Sequence, residues 1–205
     1  MRQKTPARSA ILFGLNRYHV FAQMRVFLTG VSCVGKTTIG AKLAALLDYA
    51  FVDLDAEIES HFGTSIERLQ RQYLTPYSFR KEASKVLKQA LSREDSRDCV
   101  IVLPPSGLMD NYWRVVKRAE GTIVVVRDEP ENIVKRAIFY DIDSRPIHKD
   151  LTEKEKGLYV REIRKDIAYF GRTYRRAHVT VDIAGLAPDD AARKLKEEVS
   201  PCRAP

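Results

Sequence analysis

Short apolar runs alternate along the chain with longer amphipathic ones. Residues 25–29 (RVFLT), 50–54 (AFVDL), 99–103 (CVIVL), 121–126 (GTIVVV) and 179–183 (VTVDI) are the apolar runs. Near-continuous runs of this length predict strands buried on both faces, because a strand with one wet face would alternate strictly. Between them apolar residues recur at helical spacing. Residues 36–47 place Ile39, Leu43, Leu46 and Leu47 on one side of a helix. Further helices are predicted over 56–61, 65–73 and 78–91, with Pro76 separating the last two. Others are predicted over 130–139, with Pro130 near its start, over about 153–170, and over 188–199, introduced by Pro188, Asp189 and Asp190. Residues 140–157 are polar and offer few core candidates.

Five such strands alternating with helices predict an α/β protein with a parallel sheet covered on both faces. In such sheets ligands bind beyond the carboxyl ends of the strands. One edge would then gather the loop after the first strand, Asp53 and Asp55, residues 104–107 and the segment after Val126.

Composition narrows the class without changing the picture. The 205 residues, 44% hydrophobic and 30% charged, suit one soluble globular domain, placed at 24–200 with a short tail at 201–205. No apolar run approaches the roughly 20 residues needed to span a bilayer, so no membrane partner is expected. Half of the +8 net charge comes from Arg2, Lys4, Arg8 and Arg17 in the acid-free segment 1–23. Its short apolar run, broken by Gly14, makes a poor secretory signal. We read 1–23 as a basic tail, or as a start assigned too early, since Met24 stands just ahead of the first strand; a transit peptide is the alternative. The basic excess suits anionic small molecules, and no motif for reading nucleic acid is present. Cys33, Cys99 and Cys202 lack paired spacing, and the four histidines lack metal-ligand spacing. Neither disulfides nor zinc are expected, and a reducing cytoplasm is the default compartment.

The chemistry starts at Gly30-Val31-Ser32-Cys33-Val34-Gly35-Lys36-Thr37-Thr38, which fits G-x-x-x-x-G-K-[ST] between a predicted strand and a predicted helix. Glycines let successive N–H groups converge on phosphate oxygens, and the helix adds its positive dipole end. Nucleotide binding is therefore assigned to Gly30, Ser32, Cys33, Val34, Gly35, Lys36, Thr37 and Thr38. Lys36 supplies a mobile charge for the β- and γ-phosphates, and Thr37 a hydroxyl for Mg2+. Cys33 is read as filler rather than a reactive thiol. Asp53 and Asp55 follow a strand and point toward the same edge. A weakly acidic hydroxyl needs a proton acceptor beside it, and Mg2+ prefers carboxylates and waters. The alternative is that the aspartates merely cap the next helix.

The segments GVSCVGKTT, FVDLDAEIESHFGTSI and SFRKE, in that order, resemble the shikimate kinase family, and the resemblance covers roughly residues 25–200. It implies a three-layer P-loop kinase fold with a central five-stranded parallel sheet and a mobile lid at about 140–157. It also implies transfer of the ATP γ-phosphate to the 3-hydroxyl of shikimate by a monomer using Mg2+. By resemblance, Asp53 helps hold the Mg2+ water shell, while Asp55 binds substrate hydroxyls and accepts the attacking proton. Arg80 would clamp the substrate carboxylate, for which a guanidinium fork is suited. IDSRPI, residues 142–147, resembles the lid segment R-P-L-L, so Arg145 would swing over the phosphates. Arg136 matches the arginine that stacks on adenine. Lys36, Asp55 and Arg145 are thus the expected catalytic set.

Three departures fall mostly on the acceptor side. Pro104-Pro105-Ser106-Gly107 stands where the family has a glycine triplet, leaving Gly107, with Ser106 beside it, as the substrate contact. The family's R-x-P-x-Y is absent; Arg172 is the candidate for the last substrate arginine, with Arg175 and Arg176 as alternatives. Cys33 takes the place of the loop's third glycine. Two other readings stay open. One is a kinase of another hydroxy acid such as gluconate, since the opening Gly-Val-Ser is similar to gluconate kinases. The other is an ATP-binding regulatory module without kinase turnover.

Overall fold

The computed structural model describes residues 24–199; the predicted tails at 1–23 and 201–205 lie outside the described residues. In chain order the elements are β1 (Val26–Thr29), α1 (Lys36–Leu47), β2 (Ala50–Asp53), α2 (Leu54–Phe62), α3 (Ile66–Gln72), α4 (Pro76–Leu91), β3 (Cys99–Val102), α5 (Asp110–Val116), β4 (Thr122–Arg127), α6 (Pro130–Lys135), β5 (Phe139–Tyr140), β6 (Pro146–Ile147), α7 (Glu153–Tyr174), β7 (Val179–Asp182) and α8 (Pro188–Val199). Five strands form a parallel sheet in the order β2-β3-β1-β4-β7, while β5 and β6 pair as a small antiparallel hairpin.

The apolar runs form the sheet because both of its faces are covered. Val26 and Leu28 of β1 enter one core with Val100, Val102, Val124 and Val126, walled by α1 and α8. Phe27, one residue out of phase, enters the opposite core with Ile101, Ile123 and Val125, walled by α2, α4 and α5. Each fully buried Val, Leu or Phe side chain contributes about 1.5–3 kcal/mol, so these alternating rows dominate the stability of the sheet. The ends of β1, β2 and β4 are brought level by the pairings Thr29↔Val125 and Asp53↔Val102. The functional loops leave from that edge.

Several boundaries differ from the sequence reading. The helix predicted over 130–139 stops at Lys135, because Phe139 and Tyr140 pair with Ile147 and Pro146 in the hairpin. Asp141 closes that turn, its Oδ1 accepting from the N–H groups of Asp143 and Arg145 at 2.8 and 2.9 Å. The long helix starts as predicted, with a capping box between Thr152 and Glu155, but runs on to Tyr174. The stacked rings of Phe170 and Tyr174, 5.8 Å apart, carry its apolar side through the extra turn. The helix predicted from 56 starts at Leu54 because Asp53 caps it through the N–H of Asp55. α5 was not anticipated: Met109 stands at its N-cap, so neither a capping side chain nor a proline marks its start.

Candidate active site

The glycine loop is held by close packing at its first residue. A Cβ on Gly30 would lie 2.5 Å from the Val126 carbonyl oxygen, so a side chain there would push β1 away from β4. Val31 and Val34 are buried beneath the loop, whereas Ser32, Cys33, Thr37 and Thr38 are exposed on it. Cys33 sits in the left-handed region at φ 59°, which costs a side-chain-bearing residue roughly 1–2 kcal/mol. This is the physical reason why glycine suits that place. Gly35 precedes α1 without a side-chain cap, leaving the first amides of the helix for a ligand.

Lys36 folds back on this loop. Its Nζ donates to the Val31 carbonyl at 3.0 Å. Burial lowers its pKa, opposed by the negative fields of Asp55, Cys33 and Asp53. Thr37 Oγ1 donates to Asp53 Oδ2 at 2.7 Å, and the other Asp53 oxygen accepts from the Asp55 N–H at 3.0 Å. Asp53 therefore both caps α2 and meets the threonine. A hydroxyl and a carboxylate side by side are hard oxygen donors, the type Mg2+ takes together with phosphate oxygens and waters. Among the described residues no group of three or more His, Cys, Asp and Glu is disposed to hold a metal. An ion here would accordingly take most of its ligands from nucleotide and water.

Asp55 opens into the cleft beside this pair. Desolvation within the crevice, with the charge of Asp53 behind it, pushes its carboxyl up to about 6. Lys36 pulls the other way, and Glu59 and Glu67 add a smaller upward push. Across the cleft, Arg80 on α4 donates from Nε and Nη2 to Asp110 Oδ2, at 3.0 and 2.7 Å. Two residues beyond Asp110, the Tyr112 hydroxyl is buried without a hydrogen-bond partner. Burial and the nearby Asp55 charge hold that phenol protonated, and Arg80 acts in the opposite sense.

The segment after β3 turns its polar groups onto the protein itself. The Pro104 carbonyl accepts from Thr29 Oγ1 at 3.0 Å and from the Gly107 N–H at 2.8 Å. The Pro105 carbonyl accepts from Tyr174 Oη at 3.1 Å. A Cβ on Gly107 would lie 2.5 Å from Leu103 Cβ, so Gly107 closes a tight turn onto its own chain. Neither proline offers an N–H. Of the three arginines at the end of α7, Arg176 touches this segment, donating to the Leu108 carbonyl at 2.5 Å with its guanidinium 5.0 Å over the Trp113 ring. All three arginines are exposed, and neither Arg172 nor Arg175 makes a side-chain hydrogen bond or ion pair among the described residues.

The β5–β6 hairpin rests on the corner between α2 and α3. Ser144 Oγ lies 2.5 Å from Glu59 Oε1 and 2.7 Å from Glu67 Oε2. Ser65 Oγ donates to the Ile142 carbonyl at 2.5 Å, and Arg68 pairs with Asp143 at 2.6 Å. Arg145 stands exposed at the turn. On the far side of the glycine loop, Arg136 caps α6 and pairs with buried Asp128. Asp128 Oδ1 also accepts from the Glu129 N–H, Asn132 Nδ2 and the Gly185 N–H, tying α6 to the loop after β7. Burial opposes ionisation of Asp128, but its hydrogen bonds from Asn132, Arg136 and Glu129 outweigh that and hold the carboxyl below the usual value. A separate cavity of about 440 Å3 lies under α7, between Val31, Asp128 and Tyr174; it holds neither Asp55 nor Arg80, and the reactive groups gather outside it.

The structure thus brings Lys36, Thr37, Asp53 and Asp55 together, and Tyr112 lies within reach of the charges of both Asp55 and Arg80. Sequence reasoning missed Asp110, Tyr112, Asp128, Glu59 and Glu67. Only Asp128 carried a signal, as an acid just past a buried strand at the predicted ligand edge.

Known proteins resemble the chain in both sequence and fold. A family model described as shikimate kinase matches residues 32–200. A shikimate kinase of Chlorobium limicola is 34% identical over 113 residues, a match spanning 54% of each chain. That of Chlorobium phaeobacteroides is 31% identical over 180 residues, covering 85% of this chain and 92% of the relative. The structure of Acinetobacter baumannii shikimate kinase in complex with shikimate superposes with a TM-score of 0.67 at 25% identity, covering 87% of this chain and 94% of that one. With the family model matching most of the chain and a relative 31% identical over 85% of it, the chain belongs to the shikimate kinase family.

Proposed function

We propose that this protein transfers the γ-phosphate of ATP to the 3-hydroxyl of shikimate. The observation that carries the reading is the contiguity of Lys36, Thr37, Asp53 and Asp55: one hydrogen bond links Thr37 to Asp53, and one residue separates the two aspartates. A phosphate-binding loop and a proton acceptor are thereby held on a single edge. The similarity to a shikimate kinase with shikimate bound supports the choice of acceptor.

In this reading the amides of 30–38 take the polyphosphate, and Lys36 leaves the Val31 carbonyl for the β- and γ-phosphate oxygens. Thr37, and Asp53 through water, would hold Mg2+, which supplies charge neutralisation on the β- and γ-phosphates. Asp55 binds the acceptor hydroxyl and takes its proton. A carboxyl near 6 is ionised at neutral pH yet basic enough for that task. Arg80 anchors the acceptor carboxylate and Arg145 closes over the transferring group, excluding water. Arg136, oriented by Asp128, lies against the adenine. On the acceptor side Gly107 shapes the turn. Arg176, which touches that turn, takes the part first assigned to Arg172. Catalysis is mostly positioning and charge neutralisation. We further propose that the enzyme is a cytoplasmic monomer, in keeping with the family resemblance.

The test is ADP release over a panel of hydroxy acids. Turnover with shikimate that disappears in Arg80→Ala supports the proposal. Silence with shikimate and turnover with gluconate would replace the acceptor, and ATP binding without turnover on any member would favour a regulatory module.

A further inference from the structure

The guanidinium assigned to the acceptor's carboxylate already holds a carboxylate of the protein. Both Arg80 donors, Nε and Nη2, go to Asp110 Oδ2, and Asp110 makes no other side-chain hydrogen bond among the described residues. Arg80 is the more enclosed partner, its side chain 14% exposed against 35% for Asp110. A ligand entering from solvent therefore meets Asp110 before it meets the guanidinium. Asp110 reaches this position with φ 44°, in the left-handed region that a residue opening a helix has no ordinary reason to adopt. Beside the pair, the Tyr112 hydroxyl is buried with its hydrogen bond unmade. A buried polar group without a partner is unusual enough to mark an arrangement completed by something else.

We infer that Asp110 is an internal stand-in for the acceptor's carboxylate, holding the Arg80 fork and yielding it when an anionic acceptor binds. This deepens the proposed function and rests on its assignment of Arg80. The consequence is selection by charge. A carboxylate exchanges with Asp110 at Arg80 like for like, whereas a neutral polyol would have to break the ion pair without replacing it. The prolines at 104 and 105 sharpen the effect, since they remove backbone donors that would otherwise share the acceptor's anchoring. Acceptor affinity is then set by competition between two carboxylates for one guanidinium.

Asp110→Asn is the direct probe, because asparagine tolerates the left-handed region and keeps the shape while losing the charge. Calorimetry with ADP and Mg2+ present would compare wild type, Asp110→Asn, Arg80→Ala and the double variant. Two probes are used: shikimate, and benzoate as a carboxylate without hydroxyls. Asp110→Asn is expected to bind both about threefold to tenfold more tightly, the range for a partly exposed ion pair. That gain should vanish when Arg80 is also alanine. Equal or weaker binding in Asp110→Asn would overturn the inference, assigning Asp110 instead to orienting Arg80. So would a gain that survives Arg80→Ala, or a failure of every variant to bind either probe. If wild type does not turn over shikimate while Asp110→Asn still tightens benzoate through Arg80, the proposed function falls and the stand-in remains.

Discussion

Replacing Asp55 by asparagine separates the catalytic demand on this carboxyl from its structural cost. The folded protein pushes the group from an ordinary 3.8 to about 6. Taken at face value, that shift destabilises the native state above pH 6 by about 3 kcal/mol, at roughly 1.4 kcal/mol per unit. Asp55 is exposed to solvent, however, so water screens much of the penalty and leaves about 1 kcal/mol. Asp55→Asn should therefore raise Tm by about 2–4 °C at pH 8. The sign follows from linkage. The folded pKa lies above the unfolded one, so wild type gains stability as pH falls through 6, and the advantage of the variant fades out by about pH 4. Activity should move the other way, with kcat falling about 10²- to 10⁴-fold for loss of the general base. In wild type, kcat/KM should show an acid limb near pH 6, leaving about one tenth of the plateau at pH 5, because only about a tenth of the carboxyl is then ionised. ADP measured by chromatography and melting followed by scanning fluorimetry test both halves. A flat profile down to pH 5, an Asp55→Asn variant retaining more than about a tenth of kcat, or one less stable than wild type at pH 8 would refute the reasoning.

Other substitutions probe the surroundings. Cys33→Gly should relieve the left-handed strain and raise stability by about 0.5–1 kcal/mol after the added chain entropy of glycine, visible as a small rise in Tm; a fall contradicts it. Asp128→Ala should cost about 3 kcal/mol, or about 6–12 °C in Tm, by leaving Arg136 and three further donors unpaired. Its carboxyl is depressed in the fold, so that deficit should be full above pH ~4 and shrink as pH drops through the folded value. Gly30→Ala should weaken ADP binding more than tenfold in calorimetry, since the added methyl meets the Val126 carbonyl; wild-type affinity would contradict the packing argument.

What the sequence disclosed was local, and what it withheld was pairing at a distance. The run from β1 through the glycine loop into α1 is legible because a buried strand, a glycine spacing and a helical period stand next to one another. Asp53 and Asp55 are legible for the same reason. Arg80 and Asp110 are thirty positions apart, and their contact depends on α4 packing against α5, a helix whose start no cap or proline marks. The end of α6 was misplaced because Phe139 and Tyr140 suit a helix face and a strand equally well, and only the partner strand decides. Among the arginines near the end of α7, the resemblance to R-x-P-x-Y favoured Arg172, with Arg175 and Arg176 as alternatives. The helix in fact continues to Tyr174, and the chain then turns so that Arg176 lies over Trp113.

The most direct test of phosphoryl transfer at this cleft is 31P NMR of wild-type protein with ATP, Mg2+ and shikimate. A new phosphomonoester resonance growing in step with ADP, and dependent on shikimate, is the predicted result. Inorganic phosphate as the sole product, or an unchanged ATP spectrum, would contradict it.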